Sequence, residues 1–136
     1  MQKNKGALMK HIAILRPPFF DMVLNGEKTI ESRWSMNKIA PYNKVKTGDQ
    51  ILLKLTGKPV TATAIVKDIK YYQLTPEKVE QIRIQYGKEI GTDKFKNWPA
   101  ILQKKFCTLI WLENVKQIEP LEVPRSNGAG WIVVKD

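Results

Sequence analysis

Residues 25–34 read NGEKTIESRW, and this stretch decides how the rest of the chain is interpreted. Asn25-Gly26 is typical of the end of a helix, because glycine readily adopts the left-handed backbone conformation that follows a helix C-terminus. The seven residues over 28–34 predict a strand. The stretch therefore marks a junction at which a short helix turns into a strand.

Three charged side chains are crowded into this predicted strand. Lys28 lies at the turn, whereas Glu31 and Arg33 share one face because side chains alternate along a strand. Ile30 points to the opposite face and is the expected core contact. If the pair Glu31–Arg33 is solvent-exposed, it contributes only about 0–1 kcal/mol and needs no functional explanation. In a partly covered cleft, Arg33 offers a planar fork to a phosphate or a base edge, and Lys28 offers a point charge.

The flanking sequence predicts a strand and a helix upstream. The apolar run HIAIL over residues 11–15 is a strand, and Arg16-Pro17-Pro18 ends it because proline cannot donate to a sheet ladder. Pro18 suits the first turn of the apolar helix that follows. His11, at the start of the strand, is interpreted as a structural residue.

Downstream, the sequence alternates between strand and helix signals. Thr75 and Pro76 mark the start of a helix, which we expect to end near Tyr86 at Gly87. Residues 92–105 are expected to be helical or irregular. The expected strands are Gln50–Leu55, Val60–Ile69, Cys107–Ile118 and Trp131–Val134.

Length and pattern together predict one domain. A chain of 136 residues with 43% hydrophobic content can form one core. We expect residues 1–10 to be a flexible N-terminal tail and residues 11–136 to form a single domain. Five to six strands with two to four flanking helices predict an α+β fold, a small mixed β-barrel.

The opening stretch also carries a family motif, G-x-K-x-x-E-x-R, formed by Gly26, Lys28, Glu31 and Arg33. With the upstream Arg-Pro-aromatic sequence and the T-G-D turn at residues 47–49, it resembles the ASCH domains (activating signal cointegrator homology). These domains are similar to the PUA superfamily of RNA-binding barrels. The resemblance is strong over residues 11–70 and compatible with the rest of the chain. It implies a PUA-like barrel and an RNA or nucleotide-like ligand.

The charge of the chain favours a polyanionic partner. Its formal net charge is +10, and residues 1–60 hold 11 basic against 4 acidic residues. The loop over residues 35–48 contains three lysines and no acid. A basic surface of this kind favours nucleic acid, although it also serves solubility.

The rare residue types exclude several classes of site. A single cysteine, Cys107, excludes an internal disulfide and makes the cytoplasm the expected location. With one cysteine and one histidine, a zinc site of the usual ligands is excluded, and we expect no metal and no cofactor. No apolar run approaches the length of a membrane span, so we expect no membrane partner.

Nine residues are the candidates for a binding site. Phe19, Trp34 and Trp131 offer aromatic faces, on which an unpaired base stacks with about 1–3 kcal/mol. Arg125 begins a Gly-rich loop whose backbone N–H groups suit a phosphate, but an ordinary surface loop explains it as well, and Trp131 is equally compatible with core packing. The full set is Arg16, Pro17, Phe19, Lys28, Glu31, Arg33, Trp34, Arg125 and Trp131.

Two functions of different classes are compatible with these residues. The first is non-catalytic binding of RNA or a nucleotide-like small molecule in a basic, aromatic-lined cleft around Lys28, Glu31 and Arg33. The second is implied by small ASCH proteins that are similar in the G-x-K region and remove the acetyl group from N(4)-acetylcytidine. In those proteins the lysine matching Lys28 assists a threonine nucleophile, whose position is Glu31 here. Lys28 and Glu31 are therefore the catalytic candidates if the protein is an enzyme. The oligomeric state is open.

Overall fold

The computed structural model describes residues 7–135, which form one curled sheet flanked by helices. The strands are β1 (Lys10–Leu15), β2 (Ile30–Ser35), β3 (Gln50–Leu55), β4 (Val60–Gln73), β5 (Phe106–Leu121) and β6 (Trp131–Val134). The helices are α1 (Phe19–Leu24), α2 (Pro76–Ile90) and α3 (Trp98–Leu102), with a 3-10 turn at Thr92–Lys94. The predicted α+β class, with six strands and three helices around a small barrel, is confirmed.

The order of the strands places β2 and β6 at the two edges of the sheet. The order is β2-β5-β4-β3-β1-β6, with β1 and β3 parallel and every other pair antiparallel. The register shifts once between β3 and β4 and three times between β4 and β5. Such bulges bend a strand and increase its twist. They curl the sheet into a half-barrel whose first edge, β2, approaches β1.

Strands β4 and β5 extend beyond their predicted ends. They pair with each other from Val60↔Leu121 to Gln73↔Phe106, so the polar residues at the end of each strand have a ladder partner. The residues over 113–119 are mostly exposed. Backbone pairing rather than burial keeps this part of β5 extended, which the alternation of apolar residues does not reveal.

Buried side chains form clusters on both faces of the curled sheet. The inner cluster contains Ile110 of β5 with Phe20 of α1. The outer cluster contains the neighbouring Leu109 with Ile30 and residues of α2. Adjacent residues of a strand must face opposite sides, so the same alternation that buries Ile30 turns Glu31 to the inner face. The expectation that Ile30 contacts the core is confirmed.

Helix α2 ends later than its sequence predicts. It continues through Gly87 to Ile90, and Gly91 takes the left-handed cap conformation with φ 84°. Ile90 is completely buried in the outer cluster, so its burial favours one more turn of helix. A Cβ on Gly87 would lie 2.7 Å from the Thr92 hydroxyl. Gly87 therefore allows the 3-10 turn to approach the helix instead of ending it.

A buried polar triad, formed by His11, Asp49 and Trp131, holds β1 to the loop before β3. Nε1 of Trp131 donates to Nδ1 of His11 over 3.1 Å, and His11 Nε2 lies 2.8 Å from Asp49 Oδ2. An indole N–H only donates, so Nδ1 of His11 accepts and Nε2 carries the proton. His11 is thus a structural residue.

The carboxylate of Asp49 accepts three hydrogen bonds. Besides His11, the backbone N–H groups of Met9 and Lys46 donate to it over 3.0 and 2.9 Å. Burial alone would raise the pKa of Asp49, but the hydrogen bonds from His11, Met9 and Lys46 hold that pKa below its ordinary value. The carboxylate is therefore ionised at neutral pH.

The N-terminal boundary lies close to β1. The part of the expected tail over residues 1–6 lies outside the described residues. In residues 7–10, Met9 is bonded to Asp49 and Lys10 already belongs to β1. Within residues 7–135, no helix has the length and apolar character that crossing a membrane requires.

We predict that Asp49→Asn lowers the free energy of unfolding by about 1–3 kcal/mol at pH 7. Asparagine has one acceptor oxygen, so its amide group faces a backbone N–H that then lacks a partner. Because the pKa of Asp49 is lowered in the folded state, its contribution is present above the ordinary aspartate pKa and is lost as pH falls through the lower, folded-state pKa. Urea unfolding at pH 7 and pH 3 measures both effects.

The difference between the wild type and Asp49→Asn should therefore shrink at acid pH. Asp21→Asn, at an exposed position of α1, is the matched control and should leave the unfolding free energy nearly unchanged. An Asp49→Asn deficit of equal size at pH 7 and pH 3 would contradict the account.

Candidate functional site

A cleft of about 370 Å³ opens at the rim of the half-barrel, where α1, β2 and the segment after α2 meet. We call it the β2 cleft. Its charged residues come from the loop after β1 and from the stretch around β2, and its apolar residues come from α1, β1, β2 and the segment over 95–101. It is lined by Ile14, Leu15, Arg16, Phe19, Lys28, Glu31, Ser32, Arg33, Trp34, Phe95 and Ile101.

Glu31 occupies the centre of a buried charge cluster in this cleft. Its Oε2 accepts from Arg33 Nε over 2.7 Å, and its Oε1 lies 3.4 Å from Lys28 Nζ. Burial alone would raise the pKa of Glu31, but the charges of Arg33 and Lys28 lower it below the ordinary value. Glu31 is therefore an ionised carboxylate with a cation on either side.

Lys28 fixes the start of β2 to the end of α2. Its Nζ donates to the carbonyl oxygens of Ile30 and Ile90 over 2.8 and 2.6 Å. Ile90 is the last residue of α2, and its carbonyl has no partner inside the helix. A cation is favourable at this negative end of the helix dipole. Burial lowers the pKa of Lys28, and the charge of Glu31 opposes that shift.

Arg33 closes the half-barrel with its side chain. Nη2 donates to the carbonyl of Ile14 in β1 over 3.0 Å, and Nη1 donates to the carbonyl of Gly130, just before β6, over 2.9 Å. β2 pairs with β5 alone in the sheet, so it shares no ladder with β1 or β6. The guanidinium also lies over the ring of Trp131, 5.3 Å from its centroid. The two ends of the curled sheet are thus joined through one residue.

This geometry changes the role that the sequence suggests for Arg33. Three of its five N–H groups are engaged by Glu31, Ile14 and Gly130. The planar fork expected to meet a phosphate or a base edge is therefore directed at acceptors of the protein itself. Two N–H groups remain for a ligand.

Four aromatic rings stand at one side of the cleft. The ring centroids of Trp34 and Phe95 are 6.4 Å apart, and those of Phe19 and Phe95 are 5.7 Å apart, both nearly perpendicular. Trp98 supports them from behind, 6.0 Å from Phe95. Edge-to-face contacts at these distances are favourable, and Trp34 Nε1 also donates to the Ser32 hydroxyl over 2.9 Å. The rings are held in place before any ligand arrives.

The structure brings six of the nine candidate residues into this cleft: Arg16, Phe19, Lys28, Glu31, Arg33 and Trp34. Pro17 lies in an adjoining groove. Trp131 is only 5% exposed and packs in the inner cluster under Arg33. Arg125 lines a separate groove with Lys54 and Lys58. Of the two readings of Trp131, core packing is the one its burial matches.

Sequence reasoning missed two residues of the cleft, Phe95 and Ile101. Both belong to the segment expected to be helical or irregular, in which aromatic residues at positions 95 and 98 were the available signal. The lysines of the loop over 35–48 do not line the cleft, and Lys46 donates instead to the carbonyl of Ala7. Among residues 7–135, no three His, Cys, Asp or Glu side chains are grouped as metal ligands.

Comparison with known proteins identifies similar structures at low sequence identity. The family model of the ASCH domain matches residues 14–122. The crystal structure of ASCH from Zymomonas mobilis has a TM-score of 0.69 at 18% identity, covering 93% of this chain and 88% of that one. A serine-to-alanine variant of that protein has a TM-score of 0.69 at 16% identity, covering 93% and 89%.

A more distant structural neighbour is the hypothetical protein PH0355. It has a TM-score of 0.50 at 20% identity, covering 81% of this chain and all of that one. No curated protein matches the sequence significantly. Because all identities are below 25%, these structures support the fold and leave the ligand to be argued from the residues.

We predict that Gly130→Ala destabilises the protein through Arg33. A Cβ at this position would lie 2.8 Å from Arg33 Nη1, which three hydrogen bonds keep from moving aside. The expected loss in the free energy of unfolding is about 1–3 kcal/mol. In an Arg33→Lys background, which lacks Nη1, the added loss should be smaller, with a coupling energy of about 1 kcal/mol.

The matched control is the same substitution in an Arg16→Lys background. Arg16 is exposed and does not contact Gly130, so the two effects should add. Urea unfolding of the two double-mutant cycles gives the coupling energies. Equal additivity in both cycles would show that Arg33 does not close the half-barrel.

Proposed function

Because the chain belongs to the ASCH domain family, we propose that it binds RNA or a nucleotide-like ligand, with a base stacked in the β2 cleft. The observation that carries this proposal is the aromatic wall of Phe19, Trp34 and Phe95 beside a buried charge cluster. Single-stranded RNA is recognised by splayed bases that stack on aromatic side chains and bond through their edges. The β2 cleft offers both kinds of contact within one cavity.

The aromatic wall supplies the sequence-tolerant part of the binding energy. Each stacked base contributes about 1–3 kcal/mol. The rings of Phe19 and Trp34 are only half-buried, and their mutual contacts through Phe95 keep them ordered. Little side-chain entropy is then lost when a base stacks on them.

The charges around the wall suit the polar part of a nucleotide. Arg16 lines the cleft, is exposed, and has no ion-pair partner among residues 7–135. It is the cation best placed to meet a phosphate. Glu31 is an ionised acceptor, and a carboxylate pairs with an exocyclic amino group of a base such as cytosine.

Binding is proposed in preference to hydrolysis of a modified nucleoside. Amide hydrolysis needs a nucleophile, a base and an oxyanion stabiliser. Nζ of Lys28 already donates to two carbonyls and lies beside Glu31, and Glu31 stands where the similar hydrolases carry threonine. The Ser32 hydroxyl accepts from Trp34 instead of contacting Lys28. These engagements favour a fixed charge cluster over a reacting one.

We expect Phe19→Leu to weaken binding of a short single-stranded RNA by about 1 kcal/mol, or about fivefold. Leucine keeps most of the apolar volume but removes the face on which a base stacks. Fluorescence anisotropy of a labelled octamer of cytidylate at low salt measures the change. In the same preparation, chromatography of N(4)-acetylcytidine after incubation should show no released cytidine.

Phe106→Leu is the matched control. Phe106 is also half-buried, but it packs on Tyr42, 5.1 Å between ring centroids, and does not line the cleft. Its affinity should equal that of the wild type. No RNA binding by the wild type at low salt would remove the proposal, and cytidine release that Lys28→Ala abolishes would favour the hydrolase.

A further inference from the structure

A second groove of about 370 Å³ adjoins the β2 cleft. We call it the insertion groove, because it continues over the segment inserted between α2 and β5. The two cavities share Arg16, Phe19, Phe95 and Ile101. The other residues of the insertion groove are Pro17, Lys94, Lys96, Asn97, Ala100 and Lys104.

The insertion groove is lined by four cations and by no carboxylate. Lys94 has a carboxylate neighbour, Asp93, but the 3.7 Å pair is exposed on both sides and contributes little. Arg16, Lys96 and Lys104 have no ion-pair partner in the described part of the chain. Like charges along one groove attract a polyanion more strongly than the same charges scattered over a surface.

The insertion groove is fixed to the β2 cleft by identifiable contacts. The edge-to-face pair of Phe19 and Phe95 forms the wall between the two cavities. Asn97 accepts from the Ala100 backbone N–H over 3.2 Å, which orders the start of α3. The Lys105 N–H donates to the carbonyl of Ser35 over 2.9 Å, which ties the end of the segment to β2.

From this arrangement we propose that the insertion groove holds the phosphate backbone of a single-stranded nucleic acid whose base is stacked in the β2 cleft. The inference rests on the proposed function. A stacking wall followed by a line of cations matches a chain that carries one base and one phosphate per unit. A free nucleoside has no group for the insertion groove, so the ligand is an oligonucleotide. Arg16 lies in both cavities and meets the phosphate next to the stacked base.

The experiment compares three probes: cytidine, cytidine 5′-monophosphate and an octamer of cytidylate. Each is titrated into the wild type, into Lys96→Gln/Lys104→Gln, and into Lys67→Gln/Lys116→Gln. The last variant loses the same charge at exposed positions of β4 and β5 away from both cavities. Calorimetry for the small probes and anisotropy for the octamer are carried out between 0.05 and about 0.5 M salt.

The groove variant should bind the octamer more weakly than the wild type, by about an order of magnitude at 0.1 M salt. Its plot of log affinity against log salt should be shallower by about 1.4, since each lost phosphate contact on a single strand removes about 0.7. The control variant should keep the wild-type slope, and affinity for cytidine should be equal in all three proteins.

The outcomes separate this inference from the proposed function. If the octamer binds in a Phe19-dependent manner but with equal affinity and slope in the groove and control variants, the β2 cleft keeps its role and the insertion groove loses its own. If none of the probes binds the wild type, both proposals fail. Binding of polyglutamate that depends on Lys96 and Lys104, without octamer binding, would assign the groove to an acidic protein partner and overturn the inference.

Discussion

The fold depends on the guanidinium of Arg33, because it joins two strands that no sheet ladder joins. Its hydrogen bonds to the carbonyls of Ile14 and Gly130 span the opening between β2 and the other end of the sheet. Those bonds require Glu31 as counter-charge and Lys28 as the second cation that keeps Glu31 ionised. Buried charges of this kind are costly to desolvate, and removing one partner leaves the others unpaired. The cluster is therefore a single unit in which each residue fixes the orientation of the next.

This division of labour explains what is left for a ligand. Because Lys28 and most of Arg33 are bound to backbone carbonyls, the charge cluster shapes the β2 cleft and contributes a preformed electrostatic surface. Recognition then falls to the half-buried rings beside it and to the exposed cations at its rim. A site with an ordered interior and a basic rim suits a ligand that has a flat base and a charged backbone.

The sequence predicted the parts of this arrangement that depend on local pattern. Alternation in β2 correctly placed Ile30 in the core and Glu31 beside Arg33, and the motif placed both in the right family. The acceptors of Arg33 were beyond prediction, because any residue has a carbonyl and those of Ile14 and Gly130 are 19 and 97 residues away. The pairing of His11 with Asp49 has the same limitation.

The lysines of the insertion groove were missed for a related reason. Counting charge along the chain made residues 1–60 look like the basic part, whereas folding brings Lys96 and Lys104 next to Arg16. Long-range proximity, rather than composition, decides where a polyanion is attracted.

The most direct test of the account is a heteronuclear NMR titration of the protein with the cytidylate octamer, observing the side-chain N–H signals. The account predicts that the Trp34 indole signal shifts on binding and that the Arg33 Nε–H signal persists throughout, since its bond to Glu31 is preformed. The signal of Trp111, which packs on Tyr86 away from the cleft, should stay in place. A shift at Trp111 without one at Trp34, or loss of the Arg33 signal on binding, would contradict it.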